Sequence, residues 1–201
     1  MMQSNILIGA WEKKISVDSS TLMNKVFEVI EAQRIFNLPP TKFKILIHPN
    51  SYVHAIVKFT NGTSKFLIHD TSMEIPIFNS LYYDDSSKKL KSKEIDFDKI
   101  NNLNFIQVSN SQFPSINFLK KIPNNISLFE TVLVSANDSL VELFLNRKIT
   151  YLDSYKILNN ITNQKEFTKL KLIKPSSLCQ IRKLSKYVAL KTKALSVLSR
   201  K

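Results

Sequence analysis

The sequence has little glycine, with only Gly9 and Gly62 among its 201 residues. Nucleotide-binding phosphate loops need two or three glycines within about eight residues, so this chain contains neither a P-loop nor a dinucleotide fingerprint. Its one cysteine, Cys179, excludes an internal disulfide and is typical of a protein from a reducing compartment. One cysteine and three histidines are also too few for the usual zinc fingers and ribbons.

Long hydrophobic runs are also lacking. No segment approaches the roughly 20 apolar residues of a membrane span, and Ile6-Leu7-Ile8 is too short for a secretory signal. We therefore expect a soluble, cytoplasmic protein that does not bind a membrane. A hydrophobic content of 43%, with 13 phenylalanines, is sufficient for a packed core and excludes a fully disordered chain.

Positive charge is concentrated at the C-terminus. The formal net charge is +13, and residues 165–201 contain eleven basic residues against one acid, Glu166. Such a segment is either a nucleic-acid footprint or the solvated face of a docked amphipathic helix. Apolar residues at helical spacing favour the docked helix, and we expect no nucleic-acid partner. They are Leu178, Ile181, Leu184, Val188, Ala189 and Leu195.

The pattern of hydrophobic residues predicts an α+β fold, with an antiparallel sheet and flanking helices followed by an all-α C-terminal helical domain. Asn61-Gly62 is a strong hairpin signal between two of the strands. The predicted strands are Phe43–Ile47, Tyr52–Phe59, Lys65–His69 and Asn104–Val108. The predicted helices are Ser20–Asn37, Met73–Tyr83, Pro114–Lys121, Ser127–Asn146, Tyr151–Ile161 and Ser177–Leu198.

The first predicted helix has two chemically different faces. At 100° per residue, Leu22, Val26 and Val29 share one side, while polar residues lie on the other. With Asp18, Ser19 or Ser20 as N-cap, the Ser19 hydroxyl and free backbone N–H groups would form an anion site at the helix start. A carboxylate one turn deeper would suit a hard divalent cation. The alternative is a solvated face with an i, i+3 ion pair. The polar residues concerned are Asn24, Lys25 and Glu28.

A collinear series of motifs over roughly residues 13–160 resembles the 1-deoxy-D-xylulose 5-phosphate reductoisomerase family. The longest motif is similar to the central signature of that family, and the others follow in the same order. The motifs are Lys14-Ile15-Ser16-Val17-Asp18-Ser19-Ser20-Thr21-Leu22-Met23-Asn24-Lys25-x-x-Glu28-x-Ile30-Glu31-Ala32, Ile47-His48-Pro49-Asn50-Ser51-x-x-His54, Met73-x-Ile75-Pro76-Ile77, Phe113-Pro114, Ala136-Asn137-Asp138 and Phe144-Leu145-x-x-Lys148-Ile149.

The resemblance implies a metal-dependent rearrangement of a phosphorylated sugar, followed by reduction with NADPH to 2-C-methyl-D-erythritol 4-phosphate in non-mevalonate isoprenoid biosynthesis. It implies that Ser19, Asn24 and Lys25 bind the substrate phosphate and hydroxyls. It further implies that Glu28 ligates Mg²⁺ or Mn²⁺ and that His54, the catalytic candidate, lies near the substrate. For Ser51 and His48 the implied roles are weaker, and we expect His48 and His69 to be structural.

Several family features have no counterpart in this sequence. The family has an N-terminal nucleotide-binding domain and an Asp-Ser-Glu element whose carboxylates complete the metal site. Its lid motif contains a histidine that Ile6–Glu12 lacks, and Val26 stands where glycine is usual. We therefore expect a portion of a homodimeric enzyme that is inactive by itself. The alternative is a catalytically dead, stand-alone dimerisation or interaction module of the same fold.

On this interpretation the chain divides into three segments. Residues 1–83 form the catalytic-core portion, 84–112 a linker with a connecting strand, and 113–201 the C-terminal helical domain. The middle segment is assigned as a linker because Asp84–Asp98 is polar and rich in lysine, serine and aspartate.

Overall fold

The computed structural model describes residues 13–198, so the candidate lid stretch Ile6–Glu12 lies outside the described residues. Within them, packing defines two compact units. One combines residues 13–44 with 109–198, and the other comprises residues 45–108. Packing therefore groups the first helices with the C-terminal helices, whereas the functional division into 1–83, 84–112 and 113–201 stays a prediction.

The first unit begins with two consecutive helices where the sequence pattern predicts one. Residues 13–20 form α1, and α2 follows as Met23–Phe36 after a turn. The predicted start at Ser20 is wrong, because Leu22 precedes α2 in a left-handed conformation with φ 59° and ψ 17°. Serine is a common N-cap residue, but here Ser20 is the last residue of α1, and its hydroxyl donates to the Val17 carbonyl at 2.8 Å.

The remaining helices of this unit lie close to their predicted positions. A 3-10 helix spans Pro114–Lys121, α5 spans Phe129–Leu145, and α6 spans Tyr151–Asn163 behind a Thr150–Asp153 capping box. Three short elements of this unit were not predicted: a 3-10 helix over Pro40–Lys42, α7 over Lys165–Thr168 and a 3-10 helix over Lys169–Leu172. The last helix, α8, spans Leu178–Leu198.

These helices share one hydrophobic core, to which α2 also contributes. The core consists mainly of large apolar side chains from α5, α6 and the 3-10 helix over Pro114–Lys121. Its α2 members are Met23, Val26 and Ile30, of which Val26 was predicted to lie on the apolar face. Burial of these apolar side chains away from water makes the main favourable contribution to the stability of the unit. Its fully buried members include Val26, Phe118, Phe129, Val132, Leu133, Ile161 and Val188.

The basic C-terminal segment is a docked helix, as predicted. Val188 of α8 is fully buried, and Leu184 and Leu195 pack against the core. Leu178 is 73% exposed, so its inclusion in the apolar stripe is wrong; it is the first residue of α8. Part of the basic charge is paired on this surface, because Lys193 Nζ lies 2.8 Å from a carboxylate oxygen of Glu142 on α5.

The second unit contains the strands. Strands β2 (Val53–Lys58) and β3 (Ser64–Ile68) form the predicted antiparallel hairpin, in which Gly62 has a φ of 88° that favours glycine. Strand β1 (Leu46–Ile47) pairs antiparallel with β4 (Ile106–Gln107). The predicted sheet is therefore present as two two-stranded ladders, and the α+β class is confirmed.

Two helices complete the second unit. The predicted helix α3 spans Glu74–Leu81 and contains Pro76 in its first turn. Helix α4, over Phe97–Asn101, follows the polar stretch and was not predicted; the Asp96 side chain caps it by accepting from the Lys99 N–H. Among residues 13–198, no helix combines the length and apolar character needed to cross a bilayer.

Candidate functional site

Helix α2 separates a packed face from a polar face as the periodicity predicts. Val26 is fully buried, and Val29 is 8% exposed. On the other side the Lys25 and Glu28 side chains are 41% and 54% exposed. The polar face is therefore available to a ligand.

Lys25 and Glu28 form the ion pair that was the alternative interpretation of this face. Lys25 Nζ lies 2.9 Å from Glu28 Oε1 and 2.8 Å from Oε2. An exposed pair of this kind contributes only ~0.2 to 1 kcal/mol to stability. A hydrogen bond to a charged group contributes about 1.5 to 3 kcal/mol. A charged ligand can therefore displace the pair at little cost, so its presence does not exclude a binding role for either residue.

Ser19 and Asn24 lie on either side of the turn between α1 and α2. Ser19 lies at the end of α1, and its carbonyl accepts the Leu22 N–H at 3.1 Å. Asn24 lies in the first turn of α2, and its Oδ1 accepts the Lys25 N–H at 2.8 Å. The expected position of Ser19 at the start of α2 is therefore wrong, because Ser19 belongs to the preceding helix, while its role in phosphate binding stays a prediction.

The backbone at the start of α2 is also less free than expected. The Met23 N–H donates to the Thr21 hydroxyl at 3.3 Å, and the Lys25 N–H is bonded to Asn24 as described. Both acceptors are side chains, so a phosphate could replace them if they rotate. The polar face of α2 supplies an ammonium, an amide and a carboxylate within two turns.

A polar network with a buried centre lies next to this turn and was not predicted as a site. The Asn137 Nδ2 on α5 donates to Asp18 Oδ1 at 2.8 Å, and both residues are about 5% exposed or less. Lys14 Nζ lies 2.9 Å from Asp138 Oδ1 and 3.5 Å from Asp18 Oδ2. We name Lys14, Asp18, Asn137 and Asp138 the junction network.

The sequence did contain a signal for this network. Asn137-Asp138 interrupts a helix whose neighbouring residues are largely apolar and buried, such as Ala136 and Leu140. A buried amide must find a hydrogen-bond partner, since leaving it unpaired is costly. The sequence indicates Asp18 as a possible N-cap and as part of the family signature, but neither points to a partner on α5, so this long-range contact was missed.

The charges in the junction network affect one another. Burial raises the pKa of the Asp18 carboxyl from its ordinary value of 3.8, and the Asn137 hydrogen bond and the Lys14 ammonium only partly oppose this effect. Although burial alone would lower it, the carboxylates of Asp138 and Asp18 raise the pKa of Lys14. Asp18 therefore carries its negative charge at a cost.

This cost predicts a pH dependence of stability. An acid whose pKa is higher in the folded state than in the unfolded state binds more protons when the protein is folded. Its ionisation therefore lowers the unfolding free energy as the pH rises from the pKa of the unfolded state through the pKa of the folded state. The variant Asp18→Asn cannot ionise. We therefore expect the unfolding free energy of Asp18→Asn to rise relative to that of the wild type as the pH increases from 3.8 to the raised pKa of folded Asp18. Above that pKa the difference should level off.

Urea unfolding of both proteins across about pH 3 to 7 measures this difference. Glu142→Gln on α5 is the control, because Glu142 is an exposed carboxylate paired with Lys193. A difference between wild type and Asp18→Asn that does not change with pH would contradict the raised pKa.

The described residues do not form a complete metal site. Among residues 13–198, no group of three or more histidine, cysteine, aspartate or glutamate side chains is placed to hold a metal ion. Glu28 offers one carboxylate, whereas Mg²⁺ needs six ligands, several of which are usually water. Glu28 thus fits as a single ligand, and the residues described here do not supply the others.

The histidine candidates belong to the second unit, in which they are close together. His54 on β2 stacks on His69 with ring centroids 3.6 Å apart, and His54 Nε2 lies 3.1 Å from the His69 carbonyl oxygen. His69 Nδ1 lies 2.6 Å from the Asp70 carbonyl oxygen. These contacts are consistent with the structural role predicted for His69.

The other candidates of this unit lie before β2. His48 Nδ1 lies 3.0 Å from the Asn104 carbonyl oxygen, while its buried Nε2 has no hydrogen-bond partner within the described part of the chain. Ser51 adopts a left-handed backbone with φ 50°, and its N–H donates to the His48 carbonyl at 2.9 Å.

Comparison with known families identifies the origin of these motifs. Residues 69–193 match the DXP reductoisomerase C-terminal domain family, and residues 9–36 match the 1-deoxy-D-xylulose 5-phosphate reductoisomerase C-terminal domain family. The first match alone covers more than half of the chain. The chain belongs to the DXP reductoisomerase family.

Individual reductoisomerases agree with this assignment. The enzyme of Pelagibacter ubique is 55% identical over 185 residues, which are 92% of this chain and 47% of that protein. The enzyme of a Sulfurihydrogenibium species is 37% identical over 79% of this chain and 42% of that protein. The chain thus spans about half the length of the curated relatives that it matches.

Solved structures of reductoisomerases have the same fold. The Zymomonas mobilis enzyme in complex with NADPH matches 91% of this chain and 47% of its own, with a TM-score of 0.76 and 30% identity. A reductoisomerase in complex with NADPH, fosmidomycin and magnesium matches 94% of this chain and 47% of its own, with a TM-score of 0.82 and 26% identity.

Proposed function

We propose that this chain contributes the substrate-binding helix of a 1-deoxy-D-xylulose 5-phosphate reductoisomerase. The observation that supports the proposal is the polar face of α2. There the signature residues Lys25 and Glu28 are exposed, while Val26 packs into the core. The reaction is the NADPH-dependent rearrangement and reduction of a phosphorylated sugar in isoprenoid biosynthesis. We also propose a cytoplasmic homodimer, as is expected for this family.

Each residue of the polar face has a chemical role in this proposal. The Lys25 ammonium and the Ser19 hydroxyl donate to the substrate phosphate, while the Asn24 amide bonds a substrate hydroxyl. Glu28 contributes one carboxylate to a Mg²⁺ or Mn²⁺ site that other residues complete. When bound, the metal polarises substrate oxygens, and NADPH supplies the hydride.

His54 is the proposed histidine near the substrate. Its ring stacks on His69, and its Nε2 lies 3.1 Å from the His69 carbonyl oxygen, and both contacts favour the orientation that the structure shows. A ring oriented in this way can exchange a proton or a hydrogen bond with a substrate hydroxyl.

The residue that departs from the family pattern does not favour a dead module. Val26, which stands at the position where the family has glycine, is fully buried among core residues. Its side chain therefore points away from Lys25 and Glu28. The substitution does not remove a group from the polar face, so the enzyme assignment is preferred over the interaction module.

A chimera tests the proposed function directly. The N-terminal part of the Pelagibacter ubique enzyme, which the match does not cover, is fused to this chain at the boundary of the 185 matched residues. We expect the chimera to consume NADPH when 1-deoxy-D-xylulose 5-phosphate and Mg²⁺ or Mn²⁺ are present. A folded, dimeric chimera without activity would favour the interaction module.

Lys25→Ala tests the phosphate role. We expect the dissociation constant of the chimera for 1-deoxy-D-xylulose 5-phosphate to rise about 10- to 150-fold, because a hydrogen bond to a charged group contributes ~1.5 to 3 kcal/mol. Titration calorimetry without NADPH measures this constant. Lys193→Ala is the matched control, since Lys193 also makes a half-exposed ion pair on a helix. Equal affinities of both variants would contradict the role.

A further inference from the structure

The junction network connects the candidate site to the core of the first unit. Asp18 and Asn137 are 119 residues apart in sequence, yet their side chains bond at 2.8 Å in a buried environment. A cavity of about 40 Å³ borders the pair and is lined by Asp18, Thr21, Ser115, Asn137 and Tyr155, among others. It has room for a few water molecules at most and not for a sugar phosphate.

Stability alone does not explain such a network. Burying a carboxylate costs free energy, and replacing buried ionic groups by apolar ones of similar size is often neutral or stabilising. Asp18 is the buried carboxylate of the network, whereas the other charged members, Lys14 and Asp138, are 34% and 47% exposed. What buried polar groups can add is a defined geometry, because a hydrogen bond constrains direction as well as distance.

The geometry that this network fixes is the turn leading into α2. The Asp18 side chain is held on α5, while its carbonyl accepts from the Thr21 hydroxyl at 3.1 Å. The same hydroxyl accepts the first N–H of α2, from Met23. A continuous series of bonds thus runs from Asn137 on α5 to the start of α2.

The turn also contains a residue that needs such support. Leu22 has a φ of 59°, and a left-handed conformation costs a residue with a side chain about 1 to 2 kcal/mol. Strained backbone persists only where its surroundings determine it, and it is found more often at functional sites. Leu22 itself is 9% exposed, so packing holds its side chain.

We propose that Asp18 and Asn137 are positioning residues that fix the turn between α1 and α2, and thereby place Ser19, Asn24 and Lys25 for phosphate binding. This inference rests on the proposed function for the role of the three ligand residues. The role of Asp18 and Asn137 in holding the turn is independent of it. The two parts are therefore tested by different measurements on the full 201-residue chain.

The variant Asn137→Asp places two carboxylates face to face, whereas the double variant with Asp18→Asn restores an amide-to-carboxylate bond with the partners exchanged. Lys121→Met is the matched control. Lys121 Nζ makes a comparable set of hydrogen bonds, which connect the 3-10 helix over Pro114–Lys121 to α6. Thermal unfolding of each variant first gives its loss of stability. Lys14→Met removes the bridging ammonium and replaces Asn137→Asp if that variant does not fold.

Amide hydrogen exchange decides the positioning part. The variants are compared under conditions in which Asn137→Asp and Lys121→Met have lost the same unfolding free energy. We expect Asn137→Asp to speed hydrogen exchange of the amides of residues 20–26 by about tenfold or more. Lys121→Met should leave these amides at their wild-type exchange rates, and the double variant should restore those rates. Equal acceleration of these amides in Asn137→Asp and Lys121→Met would overturn the inference.

Titration with inorganic phosphate, followed by the NMR signals of Ser19, Asn24 and Lys25, decides the ligand part. We expect saturable shifts in wild type and Lys121→Met, and an affinity about tenfold lower in Asn137→Asp. Unchanged phosphate affinity in Asn137→Asp would overturn the link between the turn and the ligand residues. Wild type without saturable shifts would overturn the proposed phosphate role, while the exchange comparison still decides whether the network holds the turn.

Discussion

Turnover of the chimeric enzyme is expected to fall about 100-fold or more when Glu28 is replaced by glutamine. A bound metal ion stabilises the charge of the transition state by several kcal/mol, and a tenfold change in rate corresponds to ~1.4 kcal/mol. Glutamine has the shape of glutamate but not its charge, so it is a poor ligand for Mg²⁺. The melting temperature should shift little. Glu28 is 54% exposed, and the substitution weakens only its exposed pair with Lys25.

Two measurements separate a ligand role from a surface role. Loss of the ligand should raise the Mg²⁺ or Mn²⁺ concentration needed for half-maximal activity, which a loss of surface charge should not do. Glu142→Gln is the matched control, because Glu142 is 57% exposed and pairs with Lys193 at 2.8 Å. Activity at ordinary Mg²⁺ concentrations in Glu28→Gln would show that Glu28 is a surface residue.

The candidate site could be predicted where it depends on local periodicity. In α2 the repeat of 3.6 residues alone places Val26 about 160° from Glu28 around the helix. The structure agrees, since Val26 is fully buried and the Glu28 side chain is 54% exposed. The hairpin was predictable for a similar reason. Asn61-Gly62 provides the positive φ that the turn needs, whatever the rest of the fold does.

The start of α2 could not be predicted, because propensity and tertiary context disagree there. Asp18, Ser19 and Ser20 are all good N-cap residues, so the sequence pattern favours a helix that begins beside them. In the structure the Asp18 side chain bonds to Asn137 on α5, and Leu22 adopts the left-handed conformation before α2. The contact with Asn137, which is distant in the sequence, therefore determines at which of the possible residues α2 begins.

The grouping of the chain also depends on contacts that no local pattern contains. Residues 13–44 pack with residues 109–198 although 64 residues separate the two ranges. Arg34 of α2 shows how this happens, since its guanidinium donates to the carbonyls of Pro123 and Asn125 at 3.0 Å and also pairs with Glu130. Each partner is about 90 residues away in the sequence, so periodicity within α2 gives no information about it.

The 201-residue polypeptide by itself is expected to give no detectable oxidation of NADPH in the presence of Mn²⁺ and 1-deoxy-D-xylulose 5-phosphate, whereas the chimera turns over. Reduction requires a nicotinamide held next to the substrate, and Gly9 and Gly62 are too far apart to form a loop for the pyrophosphate. Within the described residues, Glu28 has no second and third acidic or histidine ligand beside it. Each deficit removes several kcal/mol of transition-state stabilisation, and a loss of ~1.4 kcal/mol already lowers the rate tenfold.

The assay follows nicotinamide absorbance, with heat-treated protein as the control for contaminating or uncatalysed oxidation. Adding the N-terminal part of the Pelagibacter ubique enzyme as a separate polypeptide asks whether the two parts associate without a covalent link. Activity restored by mixing would show that this chain folds into a competent partner. Steady oxidation by the 201-residue polypeptide alone would show that it binds the nucleotide through a site without a glycine-rich loop, and the assignment of NADPH binding to other residues would then be wrong.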